Sequence, residues 1–409
     1  MPRKALRLKW HEGNRVELLR NGENYFPALC AAFDAARRSI HLETYIFNLD
    51  ETGLRVLDRL EQACRRGVKV RVVVDGFGSQ KQAPEIVRRV TAMGGQCRVY
   101  RPEPAGLRIV RFSLRRLRRL HRKVVVVDEE VAFVGGINIL DDYVDVPDDG
   151  EGARPRFDFA VRLQGPVVDA IARAQRGLWL RMAWRRRDDW ASFYKRFTEW
   201  TRRREVRKKS VAPHFSPGHR VALLLRDNVR YRQTIENVYL ATLAHARHDV
   251  LIANAYFFPG RRLRKALEEA ARRGVRVRLL LQGRSEYPLQ YRACRSMYCK
   301  LLDDGIELYE YMASYLHAKV AVIDEYAMVG SSNLDPFSLL LAREANVYVD
   351  DAPFAAELKQ ALEAEMEKDA QRVTAEDLQR RTRMGRWVDA FAYLMLRVGV
   401  ALTGKSSEY

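Results

Sequence analysis

Two histidines stand in the same short pattern, once in each half of the chain. The shared pattern places a lysine two residues after the histidine and an aspartate seven residues after it: His121, Lys123 and Asp128, then His317, Lys319 and Asp324. On an extended strand, side chains two residues apart point to one face, so an imidazole and an ammonium can converge on one phosphate. Histidine can act as nucleophile or as general acid and base, and lysine can stabilise phosphoryl oxygens. The pattern therefore predicts phosphoryl-transfer chemistry.

The other motif residues predict supporting roles. Asp128 and Asp324 lie at an odd offset from the histidines, so each points away from the phosphate face or begins a turn. We expect both to be structural or to support the residues that contact substrate, and not to act as acids on the substrate; a plain hairpin turn former is the alternative. Glycines follow each aspartate and allow close approach of the backbone to a phosphate. Asn138 and Asn333 then offer amide donors to the substrate phosphate.

Each histidine needs a partner that fixes its orientation. Asp158 and Glu344 occupy matching places, because each carboxylate opens a strand after its motif. We expect these two residues to orient the imidazoles, and an ordinary acid at a strand edge is the alternative. Glu43 is a further candidate, although Asn254 stands at the place that the sequence repeat makes its counterpart.

The elements that position these residues also occur twice. Residues 37–76 have the pattern of a strand, an amphipathic helix and a second strand, and residues 248–283 repeat it. Gly67 and Gly274 end the two helices at the position where a left-handed backbone is favoured. Alternating strands and helices predict an α/β fold with two pseudo-symmetric lobes, each a mixed, mostly parallel sheet flanked by helices, sharing one central active site.

The predicted domain division follows this repeat. The first lobe covers 1–207, the second covers 208–380, and an apolar helix occupies 381–409. A linker is expected near 200–216, where a run of charges meets two prolines. The second motif has five residues between its aspartate and its glycine where the first has six, and a two-residue hairpin turn would absorb the difference.

Composition indicates a folded chain with an anionic partner. Hydrophobic residues make up 47% of the 409 residues, which excludes a disordered chain, and the net charge of +20 favours nucleic acid, an acidic membrane or a phosphate-bearing substrate. The five cysteines have no paired or zinc-binding spacing, so reduced thiols are expected. No apolar run opens the chain, so neither a signal peptide nor an N-terminal anchor is expected.

Three segments could meet a membrane. The C-terminal stretch 387–404 places five apolar residues on one helical face: Trp387, Phe391, Leu394, Val398 and Leu402. An interfacial helix is our first interpretation, ahead of a core-packed helix and a true span. The segment 177–204 carries four of the six tryptophans among arginines, which suits a membrane interface, nucleic acid or a packed helix. The basic, apolar stretch 105–120 is interpreted as an arm at the mouth of the site, or as an amphipathic helix packed on the core.

The duplicated motif resembles that of the phospholipase D superfamily. The resemblance implies a two-step displacement in which one histidine attacks phosphorus and the other protonates the leaving alcohol, with lysines and asparagines stabilising the oxygens and no metal or cofactor. It does not say which histidine is the nucleophile, and we favour His121. Segments such as HLETYIFNLDETG and GSSNLDPFSLLLAREANV extend the resemblance to bacterial cardiolipin synthases of the shorter type that lacks N-terminal transmembrane helices.

That narrower resemblance implies an enzyme that transfers a phosphatidyl group to phosphatidylglycerol from the same or another glycerophospholipid. The implied partners are anionic and zwitterionic phospholipids, with peripheral or monotopic association at the cytoplasmic face of a bacterial inner membrane. A phospholipase D-type hydrolase or a nuclease of the same superfamily is the alternative. The apolar C-terminal helix argues against nucleic acid, and two intact motifs argue against an inactive lipid-binding scaffold.

Overall fold

The computed structural model describes residues 8–103, 118–148, 150, 152–185 and 218–401. The first lobe contains seven strands and four helices in the described ranges. They are, in chain order, β1 (Trp10–Arg20), α1 (Asn21–Ala35), β2 (Ser39–Thr44), α2 (Glu51–Arg65), β3 (Lys69–Asp75), α3 (Ala83–Ala92), β4 (Gln96–Tyr100), β5 (Lys123–Val127), β6 (Val131–Gly135), β7 (Phe159–Gln164) and α4 (Val167–Arg185).

The second lobe follows the same order and then adds further elements. Its described strands and helices are β8 (His219–Arg226), α5 (Thr234–His245), β9 (Asp249–Asn254), α6 (Arg261–Arg272), β10 (Arg276–Gln282), α7 (Pro288–Arg295), α8 (Tyr298–Asp303), β11 (Glu307–Tyr311), β12 (Lys319–Ile323), β13 (Tyr326–Gly330), β14 (Glu344–Asp350), α9 (Ala352–Asp369), β15 (Ala370–Val373), α10 (Ala375–Gln379) and α11 (Arg383–Ala401). A π-helical turn, Phe337–Leu341, precedes β14.

The strands of both lobes form one continuous sheet of 15 strands in the order β15-β11-β10-β9-β12-β13-β14-β8-β1-β7-β6-β5-β2-β3-β4. Antiparallel pairing of β1 with β8 joins the lobes at the middle of this sheet. The two-lobed α/β fold is therefore confirmed, but the prediction of a mostly parallel sheet is wrong. Among the named strands of the described ranges, parallel pairing is confined to β2–β3–β4 and β9–β10–β11, because the motif strands return as hairpins and pair antiparallel with their neighbours.

Helix ends and hairpin turns agree with the sequence. Gly67 and Gly274 both have positive φ, 82° and 86°, and each follows the C-cap residue of its helix, α2 or α6. The hairpin β5–β6 turns through three residues, whereas β12–β13 turns through two, because Val127 pairs with Val131 and Ile323 pairs with Tyr326. The shorter second motif is therefore absorbed in its turn, beyond the reactive residues. None of the five cysteines, all within the described ranges, forms a disulfide.

The three largest of four apolar clusters among the described residues hold the sheet and its helices together. One cluster packs α1, α2 and α3 on the first lobe, and its counterpart packs α5, α6 and α7 on the second. A third cluster spans both lobes on the opposite face of the sheet, where α4 and α9 cover the motif strands. Burial of the motif strands on both faces follows, and it explains their unbroken valine and isoleucine runs.

Helix α11 packs one side on α7 and exposes the other. Its buried Asp389 forms ion pairs with Arg292 and Arg381. Over its described length, its outer face exposes seven large apolar side chains. They are Met384, Trp387, Val388, Phe391, Leu394, Met395 and Val398. Leu402 lies outside the described residues. No helix among the described residues has both the length and the apolar character needed to cross a bilayer.

Two other segments of the sequence prediction fall largely outside the described residues. The arm at 105–120 is described only from residue 118, and the linker near 200–216 is not described. In the segment 177–204, Trp179 is buried against Arg98, so for this tryptophan the interpretation as a membrane or nucleic-acid contact is wrong. The remaining tryptophan side chains of that segment are not described.

Candidate active site

Each motif is held in place by the opposite lobe. The backbone N–H of His121 donates to the carbonyl of Arg343 (2.9 Å), and that of His317 donates to the carbonyl of Phe157 (2.8 Å). Isolated parallel bridges extend these contacts, one between Leu120 and Arg343 and one between Phe157 and Leu316. The two histidines therefore lie in extended segments just before β5 and β12, and not on those strands as their spacing predicted.

The histidine and carboxylate pairs cross between the lobes. Nδ1 of His121 lies 3.1 Å from Oε1 of Glu344, which opens β14 of the second lobe. Nδ1 of His317 lies 2.6 Å from Oδ2 of Asp158, which precedes β7 of the first lobe. A carboxylate on Nδ1 leaves Nε2 free to act as nucleophile or base. The predicted site residues Asp158 and Glu344 are thus brought to the two histidines, each to the histidine of the other half.

The small residues after the motifs make room for these carboxylates. A Cβ on Gly136 would collide with the carboxylate of Asp158. The corresponding residue in the second lobe is Ser331, whose Oγ donates to Oε2 of Glu344 (2.5 Å). The sequence predicted that the glycines allow the backbone to approach a phosphate. In the structure, the missing side chain of Gly136 leaves space for the carboxylate of Asp158. The first lobe combines glycine with the shorter aspartate, and the second combines serine with glutamate.

Both motif lysines are buried beside their histidines. Nζ of Lys123 donates to the carbonyl of His121 (2.9 Å), and Nζ of Lys319 donates to that of His317. Burial, together with the charge of Lys319, lowers the pKa of Lys123 to about 7. Burial lowers the pKa of Lys319 to about 8, against the opposing charge of Asp158. Two ammonium groups that share one buried site favour the entry of an anion such as a phosphate diester.

The surroundings of the two histidines shift their pKa values downward. Burial lowers the pKa of His121 although the charge of Glu344 opposes the shift, and burial with the charges of Lys319 and Lys123 lowers that of His317 further. Burial raises the pKa of Asp158 to about 7, against the charge of Lys319. A neutral imidazole has a free lone pair, which a nucleophile or general base requires.

The motif aspartates lie in the hairpin turns, at the opposite ends of β5 and β12 from the histidines and lysines. Asp128 accepts hydrogen bonds from the backbone N–H groups of Arg37, Arg38 and Ser39, at 2.7–2.8 Å. Asp324 accepts the equivalent three from Arg247, His248 and Asp249. Burial opposes the shift, but these backbone donors lower the pKa of both carboxyls. Each aspartate fixes the start of the strand that pairs with its motif strand.

The two asparagines lie at the ends of the hairpins. Oδ1 of Asn138 accepts from the N–H of Ile46 (3.1 Å), which leaves its Nδ2 group as a donor. Asn333 is also buried, and its Oδ1 has no hydrogen-bond partner among the described residues. Within the described ranges, no group of three or more His, Cys, Asp or Glu side chains is arranged to hold a metal ion.

Sequence reasoning missed Tyr45 and Asp75. The ring of Tyr45 packs edge-on against His121, with centroids 4.8 Å apart, and the ammonium of Lys123 lies 5.3 Å from the same ring. Asp75 is fully buried at the end of β3, and its Oδ2 accepts from the N–H of Leu120 (2.8 Å), directly before His121. The β-rich run ending in DG marked a strand end, but nothing in it indicated a contact with the motif.

Glu43 does not orient a histidine. Its carboxylate lies 2.8 Å from the buried guanidinium of Arg122. Asn254 is not the counterpart of Glu43 in the second lobe. Glu43 pairs with Val124, the residue after Lys123, and the residue after Lys319, Val320, pairs with Ala253. The sequence alignment was shifted by one residue, and strand register decides such a shift.

Comparisons with known proteins agree with this architecture. Residues 29–147 and 239–368 each match the family described as "Cardiolipin synthase, PLD-like domain". The chain is 38% identical to cardiolipin synthase B of Escherichia coli K12 over 401 residues, covering 98% of this chain and 92% of that protein. It is 29% identical to cardiolipin synthase 1 of Staphylococcus epidermidis RP62A over 358 residues, covering 87% of this chain and 69% of that protein.

A solved structure shares the fold at low sequence identity. Phosphatidylserine synthase of Haemophilus influenzae superposes with a TM-score of 0.67 at 14% identity, covering 98% of this chain and 97% of that one. This likeness supports the two-lobed fold alone. The family match covers more than half of the chain, and the identity to the E. coli protein extends over nearly all of it. The chain therefore belongs to the cardiolipin synthase family of proteins with phospholipase D-like domains.

Proposed function

We propose that this protein is a cardiolipin synthase that transfers a phosphatidyl group to phosphatidylglycerol from phosphatidylglycerol or another glycerophospholipid. The observation that carries the proposal is the pair of partly buried histidines, each contacting a carboxylate of the opposite lobe, beside two buried lysines. Membership of the cardiolipin synthase family supports the lipid substrate. One active site serves both halves.

The first step breaks the bond between phosphorus and the headgroup oxygen of the donor. Nε2 of His121 attacks phosphorus and forms a phosphohistidine, while His317 donates its Nε2 proton to the departing headgroup oxygen. Glu344 accepts from Nδ1–H of His121 and stabilises the positive charge that develops on its ring. Lys123, Lys319 and the amide groups of Asn138 and Asn333 stabilise the phosphoryl oxygens.

The second step reverses these roles. His317, now neutral, takes the proton of a headgroup hydroxyl of phosphatidylglycerol, and the resulting oxygen attacks phosphorus as the bond to His121 breaks. The product is cardiolipin, and both histidines return to their initial protonation states. Asp158 stabilises the imidazolium form of His317 that exists before the first step and after the second. Asp128 and Asp324 act only through the backbone that they hold.

We also propose that the protein binds the surface of a bacterial membrane through α11. Its exposed apolar face would enter the headgroup layer, while its inner face stays packed on α7. The net charge of +20 complements anionic lipids, which accumulate at the cytoplasmic face. The substrates would then be anionic and zwitterionic phospholipids of that leaflet, reached by peripheral or monotopic association.

The function is tested with the purified full chain, vesicles containing labelled phosphatidylglycerol, and separation of the lipid products. Cardiolipin with release of glycerol is the expected result. Phosphatidic acid as the sole product would replace the proposal with a hydrolase. Cleavage of single-stranded DNA with no lipid product would replace it with a nuclease.

A further inference from the structure

Two buried residues face the histidine-orienting carboxylates from the neighbouring strands. Arg226 ends β8 and pairs with Glu344 across β8–β14. Asn21 directly follows β1 and lies opposite Asp158, which directly precedes β7. The two positions are equivalent, because in each lobe the carboxylate stands two residues before the partner of the glycine that ends the motif hairpin. The side chains of Asn21 and Arg226 are both buried.

Asn21 binds both backbone groups of Asp158. Its N–H donates to the carbonyl of Asp158 (2.9 Å), and its Oδ1 accepts from the N–H of Asp158 (3.1 Å). Asn21 begins α1 with a left-handed backbone, φ 54°, which takes its carbonyl out of the strand pairing, and the side-chain oxygen replaces that carbonyl as acceptor. Asparagine suits this position because it tolerates the left-handed conformation and also supplies an acceptor.

The segment that Asn21 holds provides both acceptors of His317. The carbonyl of Phe157 accepts from the backbone N–H of His317 (2.8 Å), and Oδ2 of Asp158 lies 2.6 Å from Nδ1 of the same histidine. Because these acceptors belong to adjacent residues, a shift of the Asp158 backbone displaces both of them. Asn21 of the first lobe therefore acts on the histidine of the second lobe through Asp158.

Arg226 holds the equivalent segment of the second lobe through the π-helical turn before Glu344. Its Nε donates to the carbonyl of Leu339 (3.1 Å), and its two terminal nitrogens donate to the carbonyls of Leu340 and Ala342. Burial lowers the pKa of Arg226 to about 10, against the charge of Glu344, so the guanidinium stays charged at neutral pH. Charged donors form the stronger hydrogen bonds, and three of them fix the end of this turn.

The chain that leaves this turn provides both acceptors of His121. The carbonyl of Arg343 accepts from the backbone N–H of His121 (2.9 Å), and Oε1 of Glu344 lies 3.1 Å from its Nδ1. The relation of Arg226 to His121 thus repeats that of Asn21 to His317, with a guanidinium in place of an amide.

We propose that Asn21 and Arg226 are positioning residues of the two motif histidines. Each fixes the segment that holds the backbone and the ring of the histidine in the other lobe. The effect on turnover rests on the proposed function, whereas the effect on the histidine rings is measured without any lipid. A residue that only serves the turn into α1 would make Asn21→Gly silent, because glycine adopts φ 54° readily but offers no side-chain acceptor.

The test records the NMR signals of the His121 and His317 rings in protein with isotope-labelled histidine. The signals are assigned by their loss in His121→Ala and His317→Ala. Release of p-nitrophenol from phosphatidyl-p-nitrophenol in mixed micelles then reports the first chemical step. The variants are Asn21→Gly and Arg226→Lys, and Asn228→Ala is a milder second variant of the same turn, because its amide donates to the carbonyl of Leu341 (2.8 Å).

Two other buried side chains provide matched controls. Asn14 of β1 donates to the carbonyls of His11 (2.7 Å) and His219 (3.2 Å), and Arg278 of β10 pairs with Asp249 (2.8 Å). Asn14→Gly and Arg278→Lys therefore make the same two replacements at contacts that do not include a motif histidine. Both should lower the Tm and leave the two ring signals and kcat as in wild type.

We expect Asn21→Gly to shift the ring signal of His317 and to leave that of His121 in place. Arg226→Lys and Asn228→Ala should do the reverse. Asn21→Gly and Arg226→Lys should each lower kcat about tenfold with KM within about twofold of wild type, because a loosened support misplaces a reacting group without removing a substrate contact.

An unshifted His317 signal in folded Asn21→Gly would overturn the inference. Equal shifts of both histidines in any of the three variants would also overturn it, because they would show a general loosening of the fold. Wild-type protein that releases no p-nitrophenol would instead contradict the proposed function, and the histidine signals would still decide this inference.

Discussion

Replacing Glu344 by glutamine tests the crossed pairing of histidine and carboxylate. The amide keeps the size of the side chain but removes the charge that lies 3.1 Å from Nδ1 of His121. It can also donate to Nδ1, which would favour the tautomer that carries its proton on Nε2 and cannot attack phosphorus. Asp158→Asn makes the same change at His317. Both carboxylates belong to the lobe opposite the histidine that they contact.

The expected loss follows from the burial of the pair. Unit charges 3.1 Å apart interact by about 5 kcal/mol at an effective dielectric constant of about 20, which sets an upper limit. A hydrogen bond to a charged group is worth roughly 1.5–3 kcal/mol net. We therefore expect Glu344→Gln to raise the barrier by about 3 kcal/mol, which lowers kcat about a hundredfold.

The assay is release of p-nitrophenol from phosphatidyl-p-nitrophenol, with thermal unfolding measured on the same samples. Glu365→Gln is the matched control, because Glu365 is a buried glutamate of the second lobe that contacts Tyr311 and Arg20 and neither histidine. A histidine NMR titration should show a lower pKa for His121 in Glu344→Gln, since the Glu344 charge raises it in the native protein. A kcat within threefold of wild type, with an unchanged pKa of His121, would refute the crossed pairing.

Three further predictions follow from the same contacts. The ammonium charges of Lys123 and Lys319 are present below their pKa values of about 7 and about 8 and are lost as pH rises through them. Because the reaction uses both charges, kcat/KM should fall about tenfold per pH unit between pH 7 and pH 8 and about a hundredfold per unit above pH 8; a flat profile to pH 9.5 would contradict this. The double change Trp387→Glu and Phe391→Glu should weaken vesicle binding, measured by sedimentation with vesicles, at least a hundredfold, because burial of each exposed ring contributes roughly 1.5–3 kcal/mol. Turnover of a short-chain soluble donor should stay unchanged, and an equal loss of vesicle binding and of this turnover would contradict the proposal. Asp128→Ala should destabilise the fold by about 2 kcal/mol, because three backbone donors lose their acceptor and alanine is strained at φ 54°. The folded variant should keep its kcat at low temperature, and a large loss of kcat without a lower Tm would show a direct catalytic role.

The sequence predicted the features that repeat along the chain. Both motifs, the two lobes, and the glycines after α2 and α6 were visible because each occurs twice at a constant spacing. The position of Asp158 and Glu344 after matching motifs identified them as candidates for the two histidines. A local pattern that occurs twice can be recognised in a single sequence, and both copies form the same elements in the fold.

Features that depend on contact between distant segments could not be predicted. The crossed partners of His121 and His317 arise because each motif is bridged to the opposite lobe, and the chain order gives no sign of that exchange. The sheet was predicted mostly parallel because the βαβ units were recognised, while the antiparallel return of β5–β6–β7 and the β1–β8 junction were not. Tyr45 was missed because its packing on His121 follows from the register of β2 and not from any motif.

The most direct test of a single shared active site uses His121→Ala and His317→Ala, each alone and mixed in equal amounts. If one site needs both motifs of the same chain, wild-type protein forms cardiolipin from phosphatidylglycerol, while neither variant does so and mixing the variants restores nothing. Cardiolipin formed by either variant alone would mean that one half suffices, and recovery on mixing would mean that the site forms between chains. Either result would contradict the site described for this protein.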